Sequence, residues 1–451
     1  MDTDRFYETL PREHSLFRRR PWYVLSALLL LLSALTRQPV VFFAAGFTLV
    51  LAVLPEWWYR VALRHLRIAH HLSLEQACFG EQVTLSLHVE NHKWLPLPWV
   101  EVEDEIPAVV ELLNGSVAPT YKPERNVMIN ACSLWAFQRV TRRYHLRCLQ
   151  RGAHVFGPTT VRSSDPFGWL VQEERLSVRT TLVVYPLLAP LSAFGLPARF
   201  PFGERTTPQR LLEDPLRVAG VRAYQWGDEP RRIHWKASAR TGILQSKQYE
   251  LATQHRLFLF LETRTFLESW LGIDPDLQEF TISAAASIAQ WALEEGYLVG
   301  LATNSFPPAP SPADLARQRS FVTHARVPMA RGARQQARLL ETLGRLVTYF
   351  SLPLAEVIEA ERASLPYGTT VLLVSPARTL VTETVQRLLD VRRQGMAVQL
   401  ALTGEQEQAL PPSTETFPVH WLGGKEVWHE LLQASAGTHE QPETNAHLHL
   451  D

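Results

Sequence analysis

Leu257-Phe258-Leu259-Phe260-Leu261 is an unbroken apolar run of strand length, and it decides the architecture of the C-terminal half. A strand with one wet face alternates polar and apolar residues. A strand apolar throughout needs both faces covered, as in a largely parallel sheet flanked by helices. Downstream the pattern alternates accordingly. Asp276–Glu295 is predicted helical, Tyr297–Ala302 a strand, and Ala333–Phe350 a helix with Leu340, Leu343, Val347 and Phe350 on one face. Thr370–Val374 is a strand, Val381–Arg393 a helix and Ala397–Leu402 a strand. The expectation for residues 251–422 is an open, Rossmann-type α/β sheet with crossover helices. Asn304–Ala330, with four prolines between Pro307 and Pro312, is expected as a loop or flap, and residues 434–451 as a disordered polar tail.

Upstream, residues 66–190 repeat with a period near two. Gln82-Val83-Thr84-Leu85-Ser86-Leu87-His88-Val89 alternates polar and apolar, and Trp99–Glu103, Arg143–Arg147 and Thr180–Tyr185 behave likewise. Turn residues separate these segments, among them Asn114-Gly115 and Asp165-Pro166-Phe167-Gly168, the latter suited to a type I turn. Many short strands with turn signals predict an immunoglobulin-like β-sandwich. The whole chain therefore reads as α+β and multidomain. Residues 191–250 are expected to be a linker, Pro-rich over Leu191–Asp214, followed by a basic motif and an extended segment at Ile243–Glu250.

Two uncharged runs, Pro21–Thr36 and Gln38–Pro55, lie near the N-terminus. At about 1.5 Å per residue they reach roughly 24 and 27 Å, close to a hydrocarbon core of about 30 Å. Arg37-Gln38-Pro39 breaks them into a transmembrane helical hairpin over residues 21–59, with Trp57-Trp58-Tyr59 expected as an interfacial aromatic belt. Residues 1–20 form a basic N-terminus carrying Arg5, Arg12, Arg18, Arg19 and Arg20, and Arg60, Arg64 and Arg67 follow the second run. With one arginine in the turn, the positive-inside rule places both termini and the soluble domains in the cytoplasm. A cleaved signal peptide fits poorly, because a second apolar run follows at once and no small-residue cleavage site stands out.

The basic motif runs Tyr224-Gln225-Trp226-Gly227-Asp228-Glu229-Pro230-Arg231-Arg232-Ile233-His234-Trp235-Lys236-Ala237-Ser238-Ala239-Arg240. Six Arg or Lys stand between Arg217 and Arg240 against Asp228 and Glu229 alone, in a chain balanced at 45 basic and 45 acidic residues. Asp228 or Glu229 as cap, Pro230 in the first turn and Gly242 beyond the end predict one short helix. On it Arg232, Lys236 and Arg240 would form a basic stripe, with Ile233 and Ala237 facing inward. Asp228 is expected to pair with Arg231 or Arg232 if the motif is merely a solvated helix. Gly227 is expected to need a glycine-only backbone angle, and Trp235 to be a packed ring. Gly227, Asp228 and Ser238 are read as structural, and Arg231, Arg232, Trp235, Lys236 and Arg240 as partner-binding, since Trp and Arg dominate binding hot spots.

This motif resembles that of a bacterial family termed domain of unknown function 58, DUF58. Phe79-Gly80-Glu81, Asn91, Pro96-Leu97-Pro98-Trp99, Arg151-Gly152, Asp165-Pro166-Phe167-Gly168 and Tyr185-Pro186 resemble its landmarks, in order, from about Arg18 to Leu402. The resemblance implies a membrane-anchored protein with a β-sandwich and a von Willebrand factor A-like domain. It also implies partnership with a MoxR-type AAA+ ATPase, and no established catalytic activity.

A von Willebrand-type domain binds Mg²⁺ through Asp-x-Ser-x-Ser after its first strand, using hard oxygen ligands. Here the segment reads Glu262-Thr263-Arg264-Thr265-Phe266, with Arg264 and Phe266 in the serine positions. No cofactor is expected; the alternative is a metal-dependent adhesion domain or enzyme using Glu262 and Thr303. The chain contains no GxxxxGK[ST] loop, HExxH or GxSxG. Cys78, Cys132 and Cys148 are expected as buried thiols of a reducing compartment. A neutral chain with one short basic segment gives little reason to expect nucleic acid. The reading favoured is a non-enzymatic membrane scaffold.

Overall fold

The computed structural model describes residues 20–197, 213–251, 255–306, 324–348, 352–406 and 408–438. It divides into two compact units, Met1–Tyr185 and Pro186–Asp451. The basic stretch before Arg20, most of the Pro-rich segment, the Pro307–Pro312 part of the expected flap and the tail beyond Thr438 lie outside the described residues.

In the first unit the apolar runs form α1 (Arg20–Thr36) and α2 (Pro39–Ala62). Ser26 Oγ donates to the Ala45 carbonyl (3.2 Å) and Tyr23 Oη to Glu56 (2.8 Å), so the helices run antiparallel. Among the described residues α2 is the helix long and apolar enough to cross a membrane; Pro21–Thr36 is shorter. Leu28, Leu31, Leu35, Phe43 and Phe47 are exposed along the pair. The expected aromatic belt is corrected at its centre. Trp58 is buried, packing with Ala62 and Leu63 against Ile68, Leu87 and Val100, whereas Trp57 stays exposed and lies 5.9 Å from Trp94. A ring that can fill a core gains more there than at an interface.

Strands β1 (Leu66–Leu72), β2 (Gln76–Ala77), β3 (Gln82–Asn91), β4 (Leu97–Pro107), β5 (Val110–Leu112) and β6 (Val117–Pro119) are followed by β7 (Arg125–Leu134), β8 (Arg139–Cys148), β9 (Gly152–Phe156), β10 (Thr159–Ser164), β11 (Val171–Leu176) and β12 (Thr180–Val184). They form sheets ordered β1-β3-β8-β5, β11-β10-β4-β7-β6 and β2-β12-β9. Burial along β3 alternates strictly, as its sequence predicts, and Leu85, Leu87 and Val89 of one sheet share cores with Val100, Val102 and Ile106 of another. The expectation of three buried thiols is corrected at Cys78, which is exposed; Cys132 is half-buried and Cys148 buried, all three free. Burial, with the Glu81 charge, pushes the Cys148 thiol up to about 12.

In the second unit β13 (Glu213–Ala223) and β14 (Gln245–Leu251) pair antiparallel, and the basic motif with α3 (Trp235–Thr241) forms their connection. A sheet follows, built from β15 (Arg256–Leu261), β16 (Leu298–Thr303), β17 (Ala325–Ala330), β18 (Thr370–Pro376), β19 (Ala397–Thr403) and β20 (Val419–Gly423). Its order is β17-β16-β15-β18-β19-β20, with only β17 antiparallel to its neighbour. Counted from β15, that is 3-2-1-4-5-6, the doubly wound order.

Helix α4 (Pro275–Glu294), flanked by α5 (Ala333–Gly344), packs on one face. On the other, α6 (Leu354–Arg362) and α7 (Thr382–Arg393) bury Val357, Ile358, Val385 and Leu388 with Phe258, Phe260, Val371 and Leu373. Phe258 and Phe260 point to that core, and the intervening Leu257, Leu259 and Leu261 are equally buried, which is why the strand is apolar throughout.

Four expectations are corrected here. Leu191–Phe194 is a 3₁₀ turn whose buried Phe194 lies 5.7 Å from Phe280, so that part of the expected linker belongs to the core. The helix begun at Ala333 ends at Gly344, short of the expected Phe350. Residues 325–330, expected in a flap, are an edge strand. Helix α8 (Lys425–Thr438) carries buried Trp428 to within 6.3 Å of Phe280, so the unit runs past residue 422 and residues 434–438 are helical.

Candidate functional site

The motif at the tip of the β13–β14 pair has an internally bonded frame. Arg222, on β13, grips Asp228 with both terminal nitrogens (2.8 and 2.6 Å), and Gln225 N donates to the same carboxylate (3.1 Å). The Arg222 hydrogen bonds, then that of Gln225, hold the Asp228 carboxyl below its ordinary value. Asp228 therefore pairs with Arg222 and not with the expected Arg231 or Arg232, because strand pairing rather than helical spacing sets the neighbour. Tyr224 Oη donates to the Asp228 carbonyl (3.1 Å), and Gly227 takes φ 107°. That angle is open to glycine and strained for a side chain, whatever the surrounding space.

The expected single helix is also corrected. Pro230–Arg232 is a 3₁₀ turn, the chain is extended at Ile233, and α3 starts at Trp235. His234 caps it, its Nδ1 accepting from Ala237 N (3.1 Å), and Gly242 closes it at φ 71°. Ile233 bridges to Ser246 and His234 N donates to the Gln245 carbonyl (2.8 Å), so pairing with β14 competes successfully with helix formation there. Ser238 Oγ donates to the His234 carbonyl (3.1 Å) and accepts from Gln245 N (2.9 Å), tying α3 to β14.

The frame leaves the remaining residues outward. Trp226 is fully exposed, Trp235 is 69% exposed, and Ile243 and Leu244 are exposed beside them. Arg231, Lys236 and Arg240 are exposed, and Arg232 is half-buried in the 3₁₀ turn, off the helix that carries Lys236 and Arg240. The continuous Arg232–Lys236–Arg240 stripe is thus broken after its first member. Ile233 and Ala237 are half-buried. Trp235, expected as a packed ring, is an exposed one. Trp235→Ala is accordingly expected to leave the melting temperature within the range of ordinary surface changes, about 0.5 kcal/mol. Arg222, Tyr224 and His234 escaped sequence reasoning, since only the strand register brings them to the motif.

A second cluster lies at the carboxyl ends of β15, β16 and β18, beside the switch point between β15 and β18 where open α/β sheets form crevices. Glu262 and Thr303, proposed from sequence as an alternative site, are both buried there. Glu262 Oε1 accepts from Arg264 N and Nε (3.0 Å each) and from Asn304 Nδ2; Oε2 accepts from Arg264 Nη2 (2.9 Å). Asn304 Oδ1 accepts from Thr263 N (2.9 Å) and Thr263 Oγ1 (3.0 Å). Thr303 Oγ1 accepts from Ser305 N (3.3 Å) and adds no charge. Arg378 lies 3.9 Å over the Phe266 ring and 3.1 Å from Asp274, which Lys425 also meets at 3.0 Å. A dication here would face two guanidinium groups and a carboxylate whose oxygens already accept hydrogen bonds, so these residues do not fit a divalent metal site. Among the described residues no group of three or more His, Cys, Asp or Glu is placed to hold a metal ion.

Burial alone would raise the Asp274 carboxyl, but hydrogen bonds from Lys425 and Arg378 outweigh it and hold the group below its ordinary value. A depressed carboxylate contributes stability that is present above its unfolded-state pKa and lost as pH falls through the lower folded one. Asp274→Asn is expected to lower the melting temperature at pH 7 and to flatten its fall on acidification below about pH 4. An unchanged acid limb in paired melting curves would refute the role given to Asp274.

The molecule is thus a mixed α/β protein of two units with many sheets, an exposed aromatic and basic arm and, among the described residues, one candidate membrane helix. Residues 220–414 match the family described as Protein of unknown function DUF58. It is 27% identical over 257 residues to the uncharacterized protein YeaD of Bacillus subtilis (strain 168), covering 54% of this chain and 58% of the relative; the chain thus spans under two thirds of that relative's length. Solved structures with partial likeness include the CARDB domain of the PF1109 protein from Pyrococcus furiosus, at 9% identity over 27% of this chain and 90% of that one, TM-score 0.18. A non-cellulosomal cohesin from Archaeoglobus fulgidus shows 12% identity over 26% and 90%, also with TM-score 0.18. At those scores the likeness carries no argument about fold or function.

Proposed function

We propose that this protein is a non-enzymatic, membrane-anchored scaffold whose β13–β14 arm docks a protein partner. The observation that carries the reading is the division of labour within the arm. Asp228, Ser238 and His234 are consumed by its internal bonds, while Trp226, Trp235, Arg231, Lys236 and Arg240 are turned outward. Exposed tryptophans beside arginine and lysine supply both contact area and charge for an acidic partner surface. Family resemblance makes a MoxR-type AAA+ ATPase the partner to test. Capture of that ATPase by the detergent-solubilised full chain, with and without an ATP analogue, is expected to depend on the arm; equal capture by an arm lacking both tryptophans would sink the reading.

The strand order and covered faces of the second sheet support a von Willebrand factor A-like domain, and the paired antiparallel sheets of the first unit support an immunoglobulin-like sandwich. The engagement of Glu262 by Arg264 favours a metal-independent domain over the metal-dependent alternative. Melting curves are therefore expected to be insensitive to EDTA and to added Mg²⁺. A ligand of the folded state must raise stability, so a rise of several degrees with Mg²⁺ would revive the metal site.

The exposed apolar faces of α1 and α2 and the flanking arginines support a two-helix membrane anchor with both ends in the cytoplasm. Reporters fused after Asp451 and at residue 15 are both expected to read as cytoplasmic. A periplasmic signal from the C-terminal fusion would overturn this topology.

A further inference from the structure

The strand register of the first unit gathers three connections at one end of its sheets: residues 92–96 between β3 and β4, 135–138 between β7 and β8, and 165–170 between β10 and β11. They meet there because Leu66 pairs with Asn91, Leu97 with Leu134 and Val100 with Ser163. The last turn of α2 packs at the same end, Trp58 and Ala62 sharing a core with Leu95, Leu97 and Leu134. Among the described residues of the sandwich strands and their connections, the exposed Trp and Phe side chains all stand on these three: Trp94 (65%), Trp135 (72%), Phe137 (70%) and Phe167 (44%). Both helices touch them. Trp57 of α2 lies 5.9 Å from Trp94, and Trp22 of α1 lies 6.4 Å from Trp169, itself 4.8 Å from Phe167. Buried polar side chains hold the connections in place. Asn91 Nδ2 donates to the carbonyls of Leu95 and Trp135 (2.9 Å each), tying the first to the second, and Phe137 N donates to the Lys93 carbonyl (3.2 Å). The Asp165 carboxylate accepts from Phe167 N (3.0 Å) and Leu170 N (2.6 Å). Phe137 is held at φ 54°, an angle that a bulky residue adopts only under such constraint.

We propose that this end of the sandwich lies in the headgroup layer of the bilayer that α1 and α2 enter, with Trp94, Trp135 and Phe137 inserted as a rim beside the helices. Continuity with α2 favours lipid as the occupant. The apolar surface of α2 runs down to exposed Trp57, and a bilayer that reaches Trp57 also reaches Trp94, its neighbour. In water an exposed indole or phenyl ring gains nothing, whereas the headgroup layer accepts rings that are apolar in body and, in tryptophan, polar at one edge. Arg64 and Arg67 are exposed at the same end, where guanidinium groups face lipid phosphate. The aromatic belt that α2 loses when Trp58 enters the core is thus rebuilt from connections distant in sequence. The opposite end of the sandwich carries Tyr121, 74% exposed, and none of the exposed tryptophans. The inference rests on the membrane reading of the two helices.

The test uses the full chain reconstituted into phosphatidylcholine vesicles that include a phosphatidylcholine with a diazirine near the glycerol end of one acyl chain. Hydroxyl-radical footprinting gives the modification rate of each ring, corrected for its intrinsic reactivity, and Tyr121 at the far end of the same unit serves as reference. Burying one large apolar side chain suffices to favour the inserted state by about tenfold, so Trp94 and Trp135 are expected to react about tenfold more slowly than Tyr121. Lipid cross-links are expected on residues 92–96 and 135–138 after illumination. Trp135→Glu places a charge in the rim and is expected to bring the rate at Trp94 up to about that of Tyr121, because Asn91 makes the two connections move together. Phe137→Asn keeps the test readable if Trp135→Glu loses its fold. Asn tolerates the left-handed angle, so this variant is expected to melt no lower than the parent while losing most of the cross-linking at 135–138.

Rates at Trp94 and Trp135 equal to that of Tyr121, or unchanged protection of Trp94 in Trp135→Glu, would overturn the rim. Slow modification without lipid cross-links would overturn it in favour of a second copy of the chain covering the same rings. Flotation of the chain with the vesicles is scored separately. A chain that floats with both tryptophans reactive refutes the rim alone, and a chain that fails to float refutes the membrane reading beneath it.

Discussion

Arg264→Ala is expected to lower the stability of the second unit by about 3–5 kcal/mol, the cost of leaving one member of a buried ion pair without its partner. Glu262 is 1% exposed, and among the described residues its carboxylate accepts from Arg264 and, once, from Asn304. Removing the guanidinium strands a carboxylate at the end of β15, in the middle of the sheet. The double variant Glu262→Gln/Arg264→Met removes both charges and keeps the volume, and such neutral replacements are often no less stable than the pair. It is therefore expected to regain most of the loss. Urea unfolding of the full chain followed by near-ultraviolet dichroism, with each unit fitted as its own transition, provides the measurement. A single-variant loss below about 1 kcal/mol would show that water or another cation replaces Arg264 at no cost.

The second large effect concerns the arm. Lys236→Glu with Arg240→Glu is expected to reduce partner capture by about a hundredfold or more, because like charges juxtaposed at an interface cost several kcal/mol. Both residues are exposed on α3, so melting should move by no more than about 0.5 kcal/mol. The residual capture of the unaltered chain should weaken as salt rises and screening shortens. Gly227→Val is expected to behave in the opposite way, losing stability before binding, because its φ of 107° admits no β-branched side chain without strain. If the charge reversals unfold the arm while Gly227→Val does not, the outward residues are the framework and the proposed division of labour is inverted.

Much of this architecture was legible in the chain itself. The unbroken Leu257–Leu261 run announced a strand covered on both sides, and the alternation of Gln82–Val89 announced one with two unlike faces. These are local statements, because each residue's polarity reports the medium on its own side of the backbone. The Arg264 substitution was legible for the same reason: a fixed charge in a motif position can be read without knowing its surroundings.

What remained hidden depended on neighbours distant in sequence. Arg222 meets Asp228 because β13 pairs with β14, a pairing that local periodicity does not encode. The strand contacts of Ile233 and His234 end the expected helix before it can begin, overriding Pro230 and the acidic cap. Asn304 reaches Glu262 from the end of the adjacent strand, and Trp58 and Phe194 are core residues only because other elements arrive to cover them. Sequence by itself determined the covered sheet, the alternating strands, the apolar helices and the place of the basic motif, since all are written in short-range patterns of polarity. Tertiary structure alone decided which charges are paired and which are free to meet a partner, because pairing is a property of distance in space and burial removes the solvent that would otherwise satisfy each charge.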